Sequence, residues 1–448
     1  MTSPSRSALP PGPAAPSAVQ FLGFWMRPYA YLERCRARYG KRFTIRLPFT
    51  PPFVMIADPE QVKEIFTAPP DVLQPGVGAR VLEPVVGVNS VILLDESAHM
   101  EQRKLMLPAF HGERMERLTG VMEEVAAAEI ADLPRGVPVP LHPRMQDLTL
   151  RIILRAVFGI DPGKRFDALR QRLQEMLAFG DKPISLAPPK PDTLTARIAE
   201  RAGPFAEFVR LQEGVDEILF ALIAERRAAG EDRDDVLSML LGARHEDGSP
   251  MSEQEIRDEL MTLLVAGHET TATSLAWAFE RLQREPRVLS RLVEEVAGDD
   301  DAYVTATIQE TLRARPVLPN VAPRYVAREV EVGGWSYPTG CSLVANGYLI
   351  HHDPDIYPDP YAFRPERFLD EGPGTYTWIP FGGGRRRCLG SSFAMLEMKV
   401  VMRELLRACT LSAAGDGVEV ARRRNITVRP LGGSRAVLGD RAPVAAAA

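Results

Sequence analysis

The pattern of apolar and polar positions reads mainly as helix. In "RPYAYLERCRARYG" the apolar residues fall at helical spacing until Gly40 stops them. "KRFTIRL" and "PFVMIA" then read as two strands across a proline-rich turn. "DPEQVKEIFTA" opens with an Asp cap and a proline in its first turn, and reads as helix. Residues 71–92 mix apolar residues with Gly and Pro, which predicts a long apolar loop of the kind that walls a pocket. Helices are predicted at 97–106, 113–132, 143–158, 205–229, 234–243, 252–284, 286–297 and 302–314. The proline-rich "DKPISLAPPKPD" at 181–192 separates two helical segments as a linker or mobile loop, and residues 159–180 carry no predicted element. After Pro316 the chain turns to short β-like pieces, with turns at Gly333–Gly334 and Pro338–Gly340. A helix at 391–408 precedes further β-like pieces. There is no internal repeat and no long polar linker. One large domain, 21–440, is therefore expected between a flexible Pro/Ala-rich leader, 1–20, and a short Ala-rich tail, 441–448.

Composition narrows the class. The 448 residues are 45% hydrophobic and 25% charged, ordinary values for a globular chain with a large core. A net charge of −5 implies no general affinity for nucleic acid. The leader lacks the apolar centre of a signal peptide, and no segment has about 18 uninterrupted apolar residues. A cytoplasmic protein with no membrane anchor is expected. The four cysteines, Cys35, Cys341, Cys388 and Cys409, are scattered, without a CxxC pair or a Cys/His cluster, so neither zinc nor a disulfide framework is indicated.

Four stretches carry candidate chemistry. "FGGGRRRCLG" (Phe381–Gly390) sets Cys388 behind three glycines and three arginines. Fixed cations favour thiolate over thiol, and glycines admit close approach and turn N–H groups toward an anion. A nucleophilic cysteine, a metal or haem thiolate and an anion cradle all satisfy this pattern; so does a solvated turn with an incidental cysteine. The helix at 252–284 carries "AGHETT" in its middle. Gly267, Glu269, Thr270, Thr271 and Thr273 predict a loosened polar turn there, and Leu263, Ala266, Thr270 and Thr273 share a face. A hydroxyl beside an acid suits proton delivery, and an ordinary polar turn explains the same residues. "ETLR" (Glu310, Arg313), "RPERF" (Arg367) and "HMEQR" (His99, Arg103) each read, alone, as an exposed ion pair or helix face.

Together these stretches resemble the cytochrome P450 family over nearly the whole chain. "FGGGRRRCLG" fits its haem-binding loop F-x-x-G-x-R-x-C-x-G, "AGHETT" its oxygen-activating turn, and Glu310, Arg313 and Arg367 its Glu–Arg–Arg structural triad. The segment between Gly298 and Glu310 looks shorter than is usual in this family. The resemblance implies a mainly α (α+β) fold, a triangular helical domain with a small β-rich lobe drawn from residues 41–57, 323–345 and the C-terminal strands. It implies haem b with Cys388 as the iron's axial ligand. His99, Arg103, Arg324 and Arg386 would serve the propionates, with Ala266, Phe381 and Gly390 against the ring. Glu269 and Thr270 would be the catalytic pair. The implied reaction is insertion of one oxygen atom of O2 into a lipophilic small molecule (terpenoid, steroid, fatty acid or polyketide), in the manner of soluble bacterial members of secondary metabolism. Electrons would come from NAD(P)H only indirectly, through a ferredoxin and its reductase. A monomer is expected. Arg385 and Arg387, with Lys399 and Arg403, would form the basic face where electrons arrive. A peroxide-using or rearranging member, or a haem carrier without turnover, are the alternatives; the Glu269–Thr270 pair argues against both.

Overall fold

The computed structural model describes residues 9–110, 113–186, 204–230 and 233–441. Its longest element is the helix Glu253–Leu282, of 30 residues. Ser252 starts it with a reciprocal cap: its hydroxyl accepts the Glu255 N–H, and the Glu255 carboxylate accepts the Ser252 N–H. Leu275, Trp277, Phe279 and Leu282 in its second half are fully buried, so this end crosses the core. The helix Leu141–Ala156 lies against it, and at Gly267 a β-carbon would stand 3.0 Å from Ile153 Cδ1. The helix runs unbroken through the polar turn that was predicted to be loosened. The glycine serves close approach of two helices, not a bend.

The helix Ser391–Ala408, just after Cys388, packs against Glu113–Ala131 and Ala302–Ala314. Between Pro286–Val296 and Ala302–Ala314 the chain makes no further helix. Arg403 and Arg407 fill in: they donate to the carbonyls of Val296, Gly298 and Asp300.

Five strands form the β-rich lobe, in the order Arg42–Ile45, Phe53–Ile56, Ser342–Asn346, Asn320–Val326 and Leu73–Gln74. The second and third pair in parallel and the other neighbours antiparallel. Buried side chains gather in two clusters, a larger one around the long helix and a smaller one in this lobe. The fold is thus mainly α with a small β-rich lobe. The expected membership of the lobe needs one correction. The strand Arg435–Asp440 pairs with Cys409–Ala413 on one side and Pro138–Pro140 on the other, in a separate sheet. Leu411, Ala436 and Leu438 point into the helical core.

Among the described residues, two helices of ten residues or more lie where none was predicted, Ser17–Met26 and Lys164–Ala178. The second was legible: Phe166, Leu169, Leu173 and Met176 recur at helical spacing and all are buried. The first corrects the expected leader. From Leu9 the chain is built into the fold: Pro10 O accepts the Thr44 hydroxyl at 2.6 Å, and Pro11 O accepts the Thr44 N–H at 3.1 Å. Proline-rich composition misled here because an edge strand needs only carbonyl acceptors, and prolines retain those. Residues 442–448 of the expected tail and 187–192 of the expected linker lie outside the described residues. At 179–186 the chain makes two short 3-10 turns.

Candidate functional site

Cys388 is exposed, whereas Cys35, Cys341 and Cys409 are buried. Its loop is held by the Cys388 N–H donating to Phe381 O (2.9 Å) and the Arg387 N–H donating to Gly384 O (3.2 Å). Gly382 and Gly384 take positive φ, 69° and 62°, which glycine adopts more readily than other residues. At Gly383 a β-carbon would meet the Phe66 ring at 2.5 Å, so this glycine admits Phe66 of the helix Pro59–Thr67. At Gly390 a β-carbon would meet nothing within 4 Å. The protein's own packing does not demand a glycine there, and a flat group lying over the sulfur would. Burial on the protein side pushes the Cys388 thiol up. The Gly390 N–H, Arg103 and Arg387 pull it down and do not fully offset burial. The arginines alone therefore do not make the thiolate that the sequence suggested; a bound metal cation would.

His99, Arg324 and Arg386 line one cavity with Phe66, Leu73 and Pro75. Burial, with Arg386, Arg103 and Arg324 nearby, pushes His99 down to about 3. Burial and Arg386 push Arg324 down to about 9; Arg386 itself, chiefly by burial, falls to about 10. Arg324, Arg385 and Arg386 outnumber the carboxylates of Asp95 and Glu96 here, so the cavity suits an anionic group. Arg386 departs from the simple expectation. It donates to Val91 O (3.2 Å), Leu94 O and Asp95 Oδ1 (2.8 Å), and so ties the cysteine loop to residues 91–95. Arg103 donates to Arg387 O at 2.9 Å and braces the same loop. Residues 89–91 are fastened in turn to the long helix, through Asn89 to Asp258, Ser90 to Thr262 and the Val91 N–H to Glu259. The segment predicted to wall a pocket is thus strapped between the long helix and the cysteine loop.

On the long helix Ala266 is exposed and Thr270 half-buried. The Thr270 hydroxyl donates to Ala266 O at 2.6 Å, leaving its oxygen as an acceptor on the open side. Thr273 does not share this open face as its spacing suggested. It is fully buried, with its hydroxyl 3.1 Å from His142 Nε2 and donating to Glu269 Oε1 at 3.2 Å. Glu269 is clamped: Oε2 accepts from Gln146 Nε2 (2.7 Å) and Arg424 Nη1 (3.0 Å), and His142 Nε2 lies 3.7 Å from Oε1. Burial alone would raise this carboxyl; Arg424, then His142 and His268, override that and hold it well below the usual carboxylate range. The acid expected to pass protons is stored as a carboxylate. Its partners Gln146, His142 and Arg424 were not identified from sequence, because they come from the helix Leu141–Ala156 and from the hairpin Ala421–Arg424/Thr427–Pro430.

Glu310 and Arg313, both fully buried, form a two-pronged pair: Nε to Oε2 at 2.6 Å and Nη2 to Oε1 at 2.8 Å. Arg313 also donates to the carbonyls of His351, Pro360 and Ala362, and the Arg364 N–H donates to Glu310. Arg367 stands further off, Nε 3.6 Å from Oε1. His351 Nε2 accepts the Ile379 N–H at 2.9 Å, so the network reaches the start of the cysteine loop.

An exposed sulfur, open space over Gly390 and crowded cations beside it together fit a haem. The comparisons agree. A family profile described as Cytochrome P450 matches residues 9–433. A protein of Mycobacterium tuberculosis named putative cytochrome P450 135B1 is 39% identical over 443 residues, 97% of this chain and 92% of that one. Another from that organism, putative cytochrome P450 138, is 38% identical over 438 residues, 97% of each chain. Among solved structures, retinoic acid-bound cyanobacterial CYP120A1 superposes with a TM-score of 0.82 at 24% identity, covering 97% of this chain and all of that one. The cytochrome P450DA haem domain gives 0.84 at 23%, covering 98% of each chain. The chain belongs to the cytochrome P450 family. It is a haem-dependent monooxygenase, which uses O2 and electrons delivered by redox partners. Among the described residues no helix is long and apolar enough to cross a membrane.

Proposed function

We propose that the chain binds haem b through Cys388 and inserts one atom of O2 into a lipophilic small molecule of terpenoid, steroid, fatty acid or polyketide class. The observation that carries this is the single exposed cysteine in a loop whose Gly390 faces open space beside crowded cations. Arg103, Arg324 and Arg386 supply the positive charge for the propionates, His99, held neutral, offers a ring N–H, and Ala266, Phe381 and Gly390 flank the ring. When bound, the haem activates O2 and carries the oxygen to the substrate. The residues of the chain position, exclude water and manage protons. Thr270 accepts a hydrogen bond on its open side while its own proton is committed to Ala266 O. Glu269 supplies protons only when Arg424 and Gln146 release it.

Thr270→Ala tests this directly. The variant is expected to keep its haem and bind substrate normally, and to consume NAD(P)H with a surrogate ferredoxin pair. Product per NAD(P)H should fall about tenfold or more, within the range of a lost proton-transfer group, while hydrogen peroxide rises. Glu269→Gln should slow turnover more than it lowers that ratio. Coupling equal to the parent's in Thr270→Ala removes Thr270 from the assignment.

For the redox partner we infer an acidic ferredoxin, served by an NAD(P)H-dependent reductase in the cytoplasm, docking on the monomer beside Arg385 and Arg387, both exposed. Lys399 and Arg403, expected in the same patch, are instead paired with Asp301 at 3.1 and 2.8 Å. Arg385→Glu/Arg387→Glu should slow haem reduction in stopped flow and flatten its salt dependence, while Lys399→Glu should disturb stability rather than association. Reduction rates unchanged by reversing both arginines would refute the assignment.

A further inference from the structure

Glu269 is held as a carboxylate well below the usual carboxylate range, so at neutral pH it carries no proton to give. A carboxylate that donates must first be loaded, and the group that loads it has to stand within hydrogen-bond reach. Among the described residues two histidines stand near it. His268, the preceding residue on the long helix, is unsuited. Its Nε2–H donates to Gln146 O at 2.9 Å, and its Nδ1 is buried without a partner. Burial pushes the ring down to about 4, so it stays neutral.

His142 is placed differently. It lies buried in the first turn of the helix Leu141–Ala156. Its backbone N–H donates to Gly433 O at 3.0 Å, in a turn whose Leu431 and Gly432 are exposed. Its Nε2 is 3.1 Å from the Thr273 hydroxyl and 3.7 Å from Glu269 Oε1. The carboxylate at the end of this chain fixes the direction of the bonds. An ionised carboxylate only accepts, so the Thr273 proton points to Glu269 Oε1, 3.2 Å away. Toward His142 the Thr273 oxygen then accepts, and His142 Nε2 must carry the hydrogen. Imidazole and hydroxyl thus form one line of donors aimed at Glu269. The line arrives on Oε1, whereas Gln146 and Arg424 hold Oε2.

We propose that His142 is a relay residue that loads Glu269 with a proton through Thr273, which rests on the reading of Glu269 as the proton donor. A proton taken from water at Nδ1 makes the imidazolium. Its Nε2 proton passes to Thr273 Oγ as the Thr273 hydroxyl proton passes to Glu269 Oε1. Imidazolium and carboxylate become neutral imidazole and carboxylic acid, so protons and charge balance. Histidine suits the task because its ring, when unperturbed, gains and loses a proton near neutral pH. Arg424 opposes loading, since a fixed cation 3.0 Å from Oε2 favours the carboxylate. It also has somewhere to go: its Nε stands 3.7 Å from Asp181 Oδ2, a second carboxylate that can take the guanidinium. Loading removes the charge that holds Arg424, so the proton that arms Glu269 also loosens its clamp.

Two measurements on the full-length holoprotein test this. The first is NAD(P)H consumption with a surrogate ferredoxin pair, the substrate being whichever fatty acid, steroid or terpenoid gives the largest Soret shift. His142→Gln keeps a donor nitrogen toward Thr273 and cannot pass a proton on. Its turnover should fall about tenfold or more, within the range of a lost proton-transfer group, with KM and the thermal midpoint unchanged. Added to Glu269→Gln it should cost nothing further, because both act on one step. An equal further fall would mark His142 as structural and overturn the relay. The second is the nitrogen NMR spectrum of isotope-labelled histidine in protein reduced under carbon monoxide, with His142 assigned by the signal lost in His142→Gln. Its Nε2 should carry hydrogen, and Thr273→Val should shift that signal. A bare Nε2 would mean that Thr273 points the other way, which overturns the relay. Parental turnover in His142→Gln beside a slow Glu269→Gln also overturns it and leaves Glu269 as the donor. Parental turnover in Glu269→Gln removes the reading of Glu269 itself, and the relay with it.

Discussion

Glu310→Ala is expected to give poorly folded, haem-poor protein. The substitution leaves Arg313 fully buried with its carboxylate gone, and breaking one partner of such a pair costs about 3–5 kcal/mol. That is a large share of the roughly 5–15 kcal/mol by which domains are stable. The damage should reach the cofactor, because Arg313 holds the His351 carbonyl while the His351 ring holds Ile379 at the start of the cysteine loop. Arg367→Ala should be milder, since its Nε is 3.6 Å from Glu310 and its Nη2 is spent on Asp359 O. Urea unfolding and the ratio of haem to protein absorbance measure both effects. A stable, haem-replete and active Glu310→Ala variant would contradict the structural role.

Cys388→Ser is expected to abolish monooxygenation outright. The exchange replaces one atom and leaves Gly390, Arg103 and Arg387 where they are, so little folding energy should be lost. What disappears is the sulfur's electron donation to the iron. Product formation with a surrogate redox pair should fall to background, while serine at Cys35, Cys341 or Cys409 leaves most of it. Those three are buried away from the loop, and Cys341 already bonds to Pro338 O at 3.3 Å.

What the sequence disclosed and what it withheld follow a physical division. Contacts within one loop or one helical turn were legible. Cys388 with its glycines, Glu310 with Arg313 three residues on, and Thr270 four residues after Ala266 all lie within reach of their own backbone. Contacts made across the fold were not. Arg424 reaches Glu269 over 155 positions and Arg386 reaches Asp95 over 291. No spacing rule connects such pairs, and only the packed elements bring them together. This is why Glu269 was expected as a proton donor and is found as a clamped carboxylate. It is also why Lys399 and Arg403 were expected on a docking face and are found paired with Asp301.

Glycine and proline misled for a related reason. Each marks a permitted backbone conformation without saying what uses it. Gly267 was taken to loosen the long helix, and the space it leaves is filled by Ile153. The glycines of the cysteine loop were read as admitting close approach, and what Gly383 admits is the Phe66 ring. The prolines ahead of Ser17 were expected in a flexible leader, and two of their carbonyls bond to Thr44. The amphipathic helix Lys164–Ala178, by contrast, was fully written in its apolar spacing.

The central claim is that Cys388 is the haem ligand, and the absorption spectrum of reduced, carbon monoxide-treated protein tests it most directly. The parent and the Cys35→Ser, Cys341→Ser and Cys409→Ser variants should show the strongly red-shifted Soret band that reports thiolate ligation. Cys388→Ser should retain haem and give an unshifted band. A red-shifted band of full amplitude in Cys388→Ser, or its absence from the parent, would contradict the account.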